Sequence, residues 1–582
     1  SRSEQQRSGV LTTKRLAWVV AMGLALAAAA PVSAASLSGA YLAARQAGYT
    51  TDFRAAAKYY EQALFHDRDN PALIEAALAS RLSLGEVDRA RDHALRLEDM
   101  SQRSQIAHMA LIGGHAKEGR YGDIVALVDD NRGVGPLIDG LLVGWAKLGD
   151  GDMTAALLQF DKVAEEKGLR GFALYHKALA LASVGDYEGA DALMSADGGA
   201  GRLMSRRGIL AQVQILSQLG RNDEALALMD STFTSDLDPG LDAVRKALNA
   251  GETLPFSLVG SPREGMAEVF YTIAGALEGE AGDDYTLLYT RIAEYLRPDH
   301  VDSLLLSAQL LEDMRRHDLA VETYDRVPAD HTAYHAAVLG KVGALRAAGK
   351  TGEAIAALEA LAETHGTLPI VHVSLGDLYR GEADYPAAVE AYDEAVKLYG
   401  EPGQSQWFVF FARGIAHERS QDWTAAEADF RRALELSPDQ PQVLNYLGYS
   451  LVEKKQDLDE ALAMIERAVE ARPDSGHIVD SLGWVLYRLG RYDEAVEHME
   501  RAAELMPVDP VVNDHLGDVY WAVGRALEAR FQWHRALSFV KPEDPDNEAD
   551  PERIRRKLDV GLDAVLVEEG APPLKVVEND AD

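Results

Sequence analysis

The chain has 582 residues, contains no cysteine and carries a formal net charge of −35 at pH 7. The absence of cysteine excludes disulfides, thiolate metal sites and a lipid-modified cysteine. The negative charge disfavours binding to nucleic acid or anionic lipid, which needs a basic surface. With 47% hydrophobic but only 7% aromatic residues, and with helix-forming residues abundant, the composition predicts an all-α soluble protein.

The first 34 residues have the pattern of a secretory signal. Lys14 and Arg15 precede an apolar run over 16–30, which is short for a bilayer span, and small residues permit cleavage after Ala34. An uncleaved anchor is the alternative. The sequence therefore predicts a periplasmic or otherwise exported protein.

A short motif recurs along most of the chain with a period close to 34 residues. Its alanine recurs at Ala56, Ala90, Ala156, Ala190 and Ala225, with Ile124 at the same position of a weaker copy, and then at Ala320, Ala354, Ala388, Ala426, Ala461, Ala495 and Ala529. This period is the signature of tetratricopeptide helix-turn-helix units. Because one unit cannot bury its apolar face alone, units stack. We predict an all-α, right-handed α-solenoid superhelix.

In the clearest copy, Gly483 and Ala495 are expected where the two helices of a unit cross. Small residues there let the two backbones approach closely. The same copy places Leu482, Leu486 and Met499 around that crossing, in the interior of the stack.

The repeat count fails between Ala225 and Ala320, which suggests two arrays. Residues 35–230 form a degenerate N-terminal array in this interpretation, 231–270 an irregular junction rich in turn-forming residues, and 271–540 a C-terminal array. One degenerate unit is expected to resume within 268–299. Residues 541–566 are predicted to form a linker and a capping helix with Ile554, Leu558, Leu562 and Val565 on its apolar side, and 567–582 a disordered tail.

Three related stretches keep a Leu-Gly pair and change their polar residues. In the tetratricopeptide motif these variable positions of the first helix face the concave side. They form three rows: Asn445, Asp480 and Asp514; Tyr449, Trp484 and Asp518; Val452, Tyr487 and Trp521. Apart from Val452, these residues make up our predicted partner-binding groove, because polar side chains can bond a peptide backbone and aromatic ones supply contact area. Packing of Trp484, Tyr487 and Trp521 between neighbouring units is the alternative interpretation.

The rows also bear on the partner's chemistry. Tetratricopeptide grooves that grip a C-terminal carboxylate use Lys, Arg and Asn, whereas these rows, apart from Asn445 and Val452, hold Asp and aromatic residues. A basic or apolar partner polypeptide is therefore favoured.

No group of residues has the pattern of an active site or of a cofactor site. His477 with Asp480, and Asp514 with His515, lack the further ligands that a metal needs. The glycine-rich turn Gly198–Arg202 lacks the strand and the lysine of a phosphate-binding loop. We predict that the chain is not an enzyme and holds no cofactor.

The stretch 445–524 resembles the periplasmic tetratricopeptide adaptors that bind and activate a carboxy-terminal processing protease and bring it to cell-wall hydrolases. "DSLGW" at 480–484, followed by "HLGD" at 515–518, carries most of the likeness, and 258–277 and 295–311 are similar to the middle of that family. The resemblance covers residues 258–540 and implies an exported scaffold with those partners. Such adaptors usually carry a lipidated cysteine, which this chain lacks, so no direct lipid anchor is expected.

The sequence is also compatible with two other functions. One is a structural part of a cell-envelope export or polysaccharide-assembly complex. The other is an enzyme accessory with its own ligand pocket at the 231–270 junction.

Overall fold

The computed structural model describes residues 37–196, 205–233, 238–541 and 548–574. All regular structure in these stretches is helical, and they contain no strand, which confirms the all-α solenoid. None of the helices described there combines the length and the apolar character needed to cross a membrane. The predicted signal segment 1–34 and the glycine-rich turn at 198–202 lie outside the described residues.

The chain divides into two compact units, one ending at Ala357 and one beginning at Leu358. The helices that begin in the first unit are α1 (Leu37–Tyr49), α2 (Phe53–His66), α3 (Pro71–Ser83), α4 (Val87–Asp99), α5 (Gln105–Glu118), α6 (Tyr121–Asp129), α7 (Asp139–Gly149), α8 (Met153–Ala164), α9 (Arg170–Ser183), α10 (Tyr187–Ser195), α11 (Arg206–Gln218), α12 (Asn222–Thr232), α13 (Pro239–Asn249), α14 (Pro262–Leu277), α15 (Asp283–Leu296), α16 (Val301–Asp313), α17 (His317–Tyr324), α18 (Tyr334–Ala347) and α19 (Thr351–His365). The boundary falls within α19.

The remaining helices belong to the second unit. They are α20 (Pro369–Gly381), α21 (Tyr385–Tyr399), α22 (Trp407–Arg419), α23 (Trp423–Leu436), α24 (Pro441–Glu453), α25 (Leu458–Ala471), α26 (Gly476–Arg488), α27 (Tyr492–Leu505), α28 (Pro510–Ala522), α29 (Ala526–Phe539), α30 (Pro551–Val560) and α31 (Leu562–Glu568). Successive helices pack as antiparallel pairs, as in α26 with α27 and α28 with α29.

The positions that set the repeat period are the centres of this packing. Each of the thirteen, from Ala56 to Ala529, is at most 1% exposed, and each lies near the start of the second helix of a pair. The glycine of the first helix faces that second helix. A Cβ on Gly483 would overlap Met499, and one on Gly517 would overlap Trp533. Close helix crossing at these positions confirms the prediction for Gly483 and Ala495.

The region around the predicted junction is more ordered than the sequence suggests. Helix α13 lies inside 231–270, and the irregular backbone described there is confined mainly to 250–261. The division of the chain also comes after Ala357 and not at this junction. The physical reason is that α14 and α15 pack into the first unit.

Helices α14 and α15 form a hairpin that lies against the first helices of the N-terminal pairs. Helix α14 contacts α5, α7 and α9, while α15 contacts α3 and α5. A Cβ on Gly265 would overlap the buried ring of Trp145. Arg291 Nε donates to the Ser83 carbonyl at 3.0 Å. The face that would form the groove of the first unit is therefore filled by its own chain.

In the first unit, helix α2 near the beginning also contacts α16 and α17 near the end. Phe53 of α2 shares an apolar cluster with Leu304 of α16 and Leu319 of α17. The neighbouring Arg54 donates to Glu322 of α17, with Nη2 to Oε1 at 2.6 Å. The N-terminal pair of helices is thus in contact with residues that follow it by more than 200 positions.

The C-terminal cap consists of two helices where the sequence predicted one. Ile554, Leu562 and Val565 are buried as expected. The helix is interrupted at Gly561, whose φ of +86° is one that glycine adopts readily, and the Trp521 ring packs against that glycine. The tail predicted from 567 onward begins inside α31, which ends at Glu568.

Candidate partner-binding groove

The eight predicted groove residues lie on three first helices that follow one another in the second unit. Helix α24 carries Asn445 and Tyr449, α26 carries Asp480, Trp484 and Tyr487, and α28 carries Asp514, Asp518 and Trp521. Helix α24 contacts α26, and α26 contacts α28, so each row crosses three neighbouring helices. Val452, which the sequence placed in the third row, is fully buried in the core.

The part of the groove nearest α24 is open. A cavity of about 690 Å³ is lined by Glu418, Asn445, Tyr449, Glu453, His477, Asp480, Asp509 and Glu548, among others. Tyr449 donates its hydroxyl hydrogen to Glu548 Oε2 at 3.1 Å. The buried atom Asn445 Oδ1 has no hydrogen-bond donor among the described residues. The wall of the cavity also carries the carboxylates of Glu453, Asp480 and Glu548, which accept hydrogen bonds, so the cavity suits a ligand that brings N–H groups.

The centre of the groove is held together by His515 of α28. Its Nδ1 donates to the carboxylate of Asp480, 3.1 Å from Oδ2. Its ring stacks on Trp484 with centroids 3.9 Å apart, and Trp484 stacks in turn on Tyr487 at 4.8 Å. Burial alone would lower the pKa of His515, but the Asp480 carboxylate outweighs it, and the pKa is raised above its usual value.

The far end of the groove is occupied by the chain's own α30. Lys557 is fully buried, and its Nζ donates to Asp514 Oδ1 at 2.5 Å and to Asp518 Oδ1 at 2.6 Å. Burial raises the pKa of Asp514, although Lys557 opposes this rise. Trp533 Nε1 donates to the same Asp518 oxygen at 2.8 Å. The carboxylates of Asp514 and Asp518, both in the predicted rows, therefore already bind the ammonium group of Lys557.

The aromatic residues of the groove divide between packing and open surface. Trp521 donates Nε1–H to Asp563 of α31 at 2.9 Å and packs on Gly561, so its contacts fit the packing interpretation. Trp484 and Tyr487 make internal stacks as well, but they also line a second cavity of about 390 Å³ beside Asp518. The structure thus brings all eight residues onto one face, and their role in partner binding stays a prediction.

Sequence reasoning missed Lys557 as a residue of this face and treated His515 only as a structural histidine. The sequence does contain a pattern that points to Lys557. Residues 553–557 read Arg-Ile-Arg-Arg-Lys, a basic run in a chain of net charge −35, and they follow an acidic linker.

A model of the tetratricopeptide repeat matches residues 339–405, 373–441, 411–476, 453–510 and 481–548. Residues 339–548 therefore carry tetratricopeptide repeats, and such repeats define a scaffold for protein–protein interaction. No curated protein matches the chain in sequence.

Several solved structures match parts or most of this chain. The APC/C hetero-tetramer Cut9-Hcn1 has 14% identity and a TM-score of 0.38, with 90% of this chain and 95% of that chain covered. A tetratricopeptide repeat protein from Parabacteroides merdae has 16% identity and a TM-score of 0.36, covering 44% and 97%. MamA MSR-1 has 22% identity and a TM-score of 0.25, covering 29% and 95%.

Proposed function

We propose that this protein is an exported scaffold that holds partner polypeptides in the groove of its second unit, and that it acts as an adaptor for a carboxy-terminal processing protease. The observation that carries the proposal is the open cavity beside α24 and α26, which is lined by Asn445 and by the carboxylates of Glu453 and Asp480. An extended or helical polypeptide segment can donate N–H groups to these side chains.

The export and the protease partner are supported by sequence patterns. The apolar run after Lys14 and Arg15 supports export. The likeness of 445–524 to the periplasmic adaptors supports the protease. In this function the protease carries out catalysis, and the scaffold raises the local concentration of its substrates.

Affinity capture from a cell-envelope extract tests the proposal. We expect the chain to retain a processing protease and cell-wall hydrolases, and Asn445→Leu to lose them. The control is Gln442→Leu, the same amide-to-leucine change on an exposed position of α24 that does not line the cavity. Capture of export or polysaccharide-assembly subunits, or equal capture by both variants, would contradict the proposed function.

A further inference from the structure

Helix α30, at the end of the groove, carries more basic than acidic residues, whereas the chain as a whole has a net charge of −35. Helix α30 has the sequence PERIRRKLDV, with four cationic residues within 553–557. Its inner face is formed by Ile554 and Lys557, both of which are fully buried. It is therefore a basic amphipathic helix docked on an acidic face.

The contacts around α30 are those of a bound cationic segment. Lys557 Nζ lies between the carboxylates of Asp514 and Asp518, and 5.3 Å from the centroid of the Trp533 ring. Arg553 adds a second cation at 3.6 Å from Asp518. Opposite charges and a cation over an aromatic ring favour this arrangement in a site shielded from water.

Helix α30 does not continue the repeat. Asp563 stands 34 residues after Ala529, where the next unit would have its small residue, and α30 and α31 are only 10 and 7 residues long. An apolar cap would cover the last unit without a buried lysine. Buried ion pairs are often no more stabilising than apolar residues of similar size, so stability alone is a weak reason for Lys557.

We propose that α30 is a tethered ligand of this groove, and that the partner segment bound by the second unit is a basic amphipathic helix of the same chemistry, which displaces α30. The recognition elements are an aliphatic residue and a lysine three positions later, as in Ile554 and Lys557. This inference rests on the proposed function and names the class of partner segment. Because α30 is linked to its site, it competes at an effective concentration on the order of millimolar.

The test is binding of a fluorescent peptide with the sequence 549–569 to the full chain, measured by anisotropy. In Lys557→Glu, a carboxylate is placed beside Asp514 and Asp518, so the linked helix leaves the groove and the peptide binds in its place. We expect an affinity at least about tenfold higher than for the unchanged chain. A peptide with Glu at the lysine position should not bind to either protein.

Lys541→Glu is the matched control, since Lys541 is exposed and lies outside α30. It should bind the peptide as weakly as the unchanged chain does. A second measurement does not depend on the folding of a variant. The peptide at millimolar concentration should accelerate amide hydrogen exchange in α30 of the unchanged chain and leave α20 to α23 unaffected.

The inference is overturned if the peptide fails to bind Lys557→Glu that retains its helix content, and also leaves exchange in α30 unchanged. This failure differs from failure of the proposed function. Protease capture without any peptide exchange would refute the tethered ligand alone. Peptide exchange without capture of the protease would refute the adaptor function alone.

Discussion

Arg207 of α11 grips Glu268 of α14 with two hydrogen bonds, Nε to Oε1 at 3.0 Å and Nη2 to Oε2 at 2.7 Å. The same guanidinium reaches Asp302 of α16 at 2.6 Å, and His300 also bonds Glu268. Arg207 of α11 therefore binds both α14, which belongs to the hairpin that fills the groove of the first unit, and α16, which follows that hairpin. Burial by itself raises the pKa of Glu268, but Arg207 and His300 outweigh it and hold that pKa far below its usual value.

Replacement of Arg207 by Met should lower the free energy of unfolding of the first unit by about 3–5 kcal/mol, because the buried Glu268 carboxylate loses the guanidinium that neutralises its charge. Urea unfolding monitored by hydrogen exchange in α14 measures the loss. Arg206→Met is the control, since Arg206 pairs with Asp238 at a more exposed position and should cost about 1 kcal/mol or less. Equal losses of unfolding free energy in the two variants would show that the pairing of Glu268 with Arg207 has no special importance for stability.

The stability of the first unit should depend on His176. Trp145 Nε1 donates to His176 Nδ1 at 3.2 Å, and Nε2 faces Thr272 Oγ1 at 3.1 Å, an arrangement that suits the neutral ring. Burial lowers the pKa of His176 to about 4 from its usual 6.5. The unfolded chain therefore binds a proton that the folded chain does not, and stability present above pH 6.5 is lost as the pH falls towards 4.

The size of this loss is about 3 kcal/mol. It is measured as the difference in pH dependence between the unchanged chain and His176→Gln, because nearby carboxylates such as Glu268 add an acid dependence of their own. The variant should lack the part that develops between pH 6.5 and pH 4. Identical pH profiles would show that the ring is not the group responsible.

Gly483→Val should destabilise the second unit by about 1–3 kcal/mol, because the new side chain overlaps Met499 and forces α26 and α27 apart. Thermal unfolding followed by circular dichroism measures this. Gly381→Val is the matched control, since nothing lies within 4 Å of a Cβ at that glycine. The control should change stability by about 0.5 kcal/mol or less. A similar loss in both variants would indicate a general effect of valine on the helix.

The double change Asp480→Ala and Trp484→Ala should lower the stability of the second unit by about 2 kcal/mol or more. His515 would lose both its carboxylate acceptor and the ring stacked on it. The helix content at 25 °C should be retained, because the helix crossings are untouched. The midpoint of urea unfolding is the measurement, and an unchanged midpoint would show that these contacts contribute nothing to the fold.

The repeat could be predicted from the sequence because its determinants are local. The repeat positions from Ala56 to Ala225 and from Ala320 to Ala529, all alanine except Ile124, recur at a nearly fixed spacing, and each lies near the start of the second helix of its pair. The three rows of the groove follow from the same register, so Asn445, Asp480 and Asp514 could be assigned to neighbouring helices. None of this required knowledge of distant contacts.

The sequence predicted a unit within 268–299 and a capping helix within 541–566, but not that either segment would lie in a groove. Residues 262–296 resemble another unit of the stack, and nothing in their own periodicity shows that Arg291 bonds Ser83, 208 positions earlier. For Lys557, the acidic residues that receive it lie about 40 positions away on α28. In both cases the position is decided by burial of charge and apolar surface between segments remote in sequence.

The contact between Arg54 and Glu322 bears on how the molecule resists being pulled apart. In a linear stack the terminal pair has one neighbour and can fray first. Helix α2 also packs on α17 through the buried side chains of Phe53 and Leu319, so separation of the N-terminal pair breaks this apolar cluster as well as the exposed Arg54–Glu322 ion pair. We therefore expect that the first pair of helices does not unfold locally under protease digestion or mechanical force. The first unit should instead unfold cooperatively.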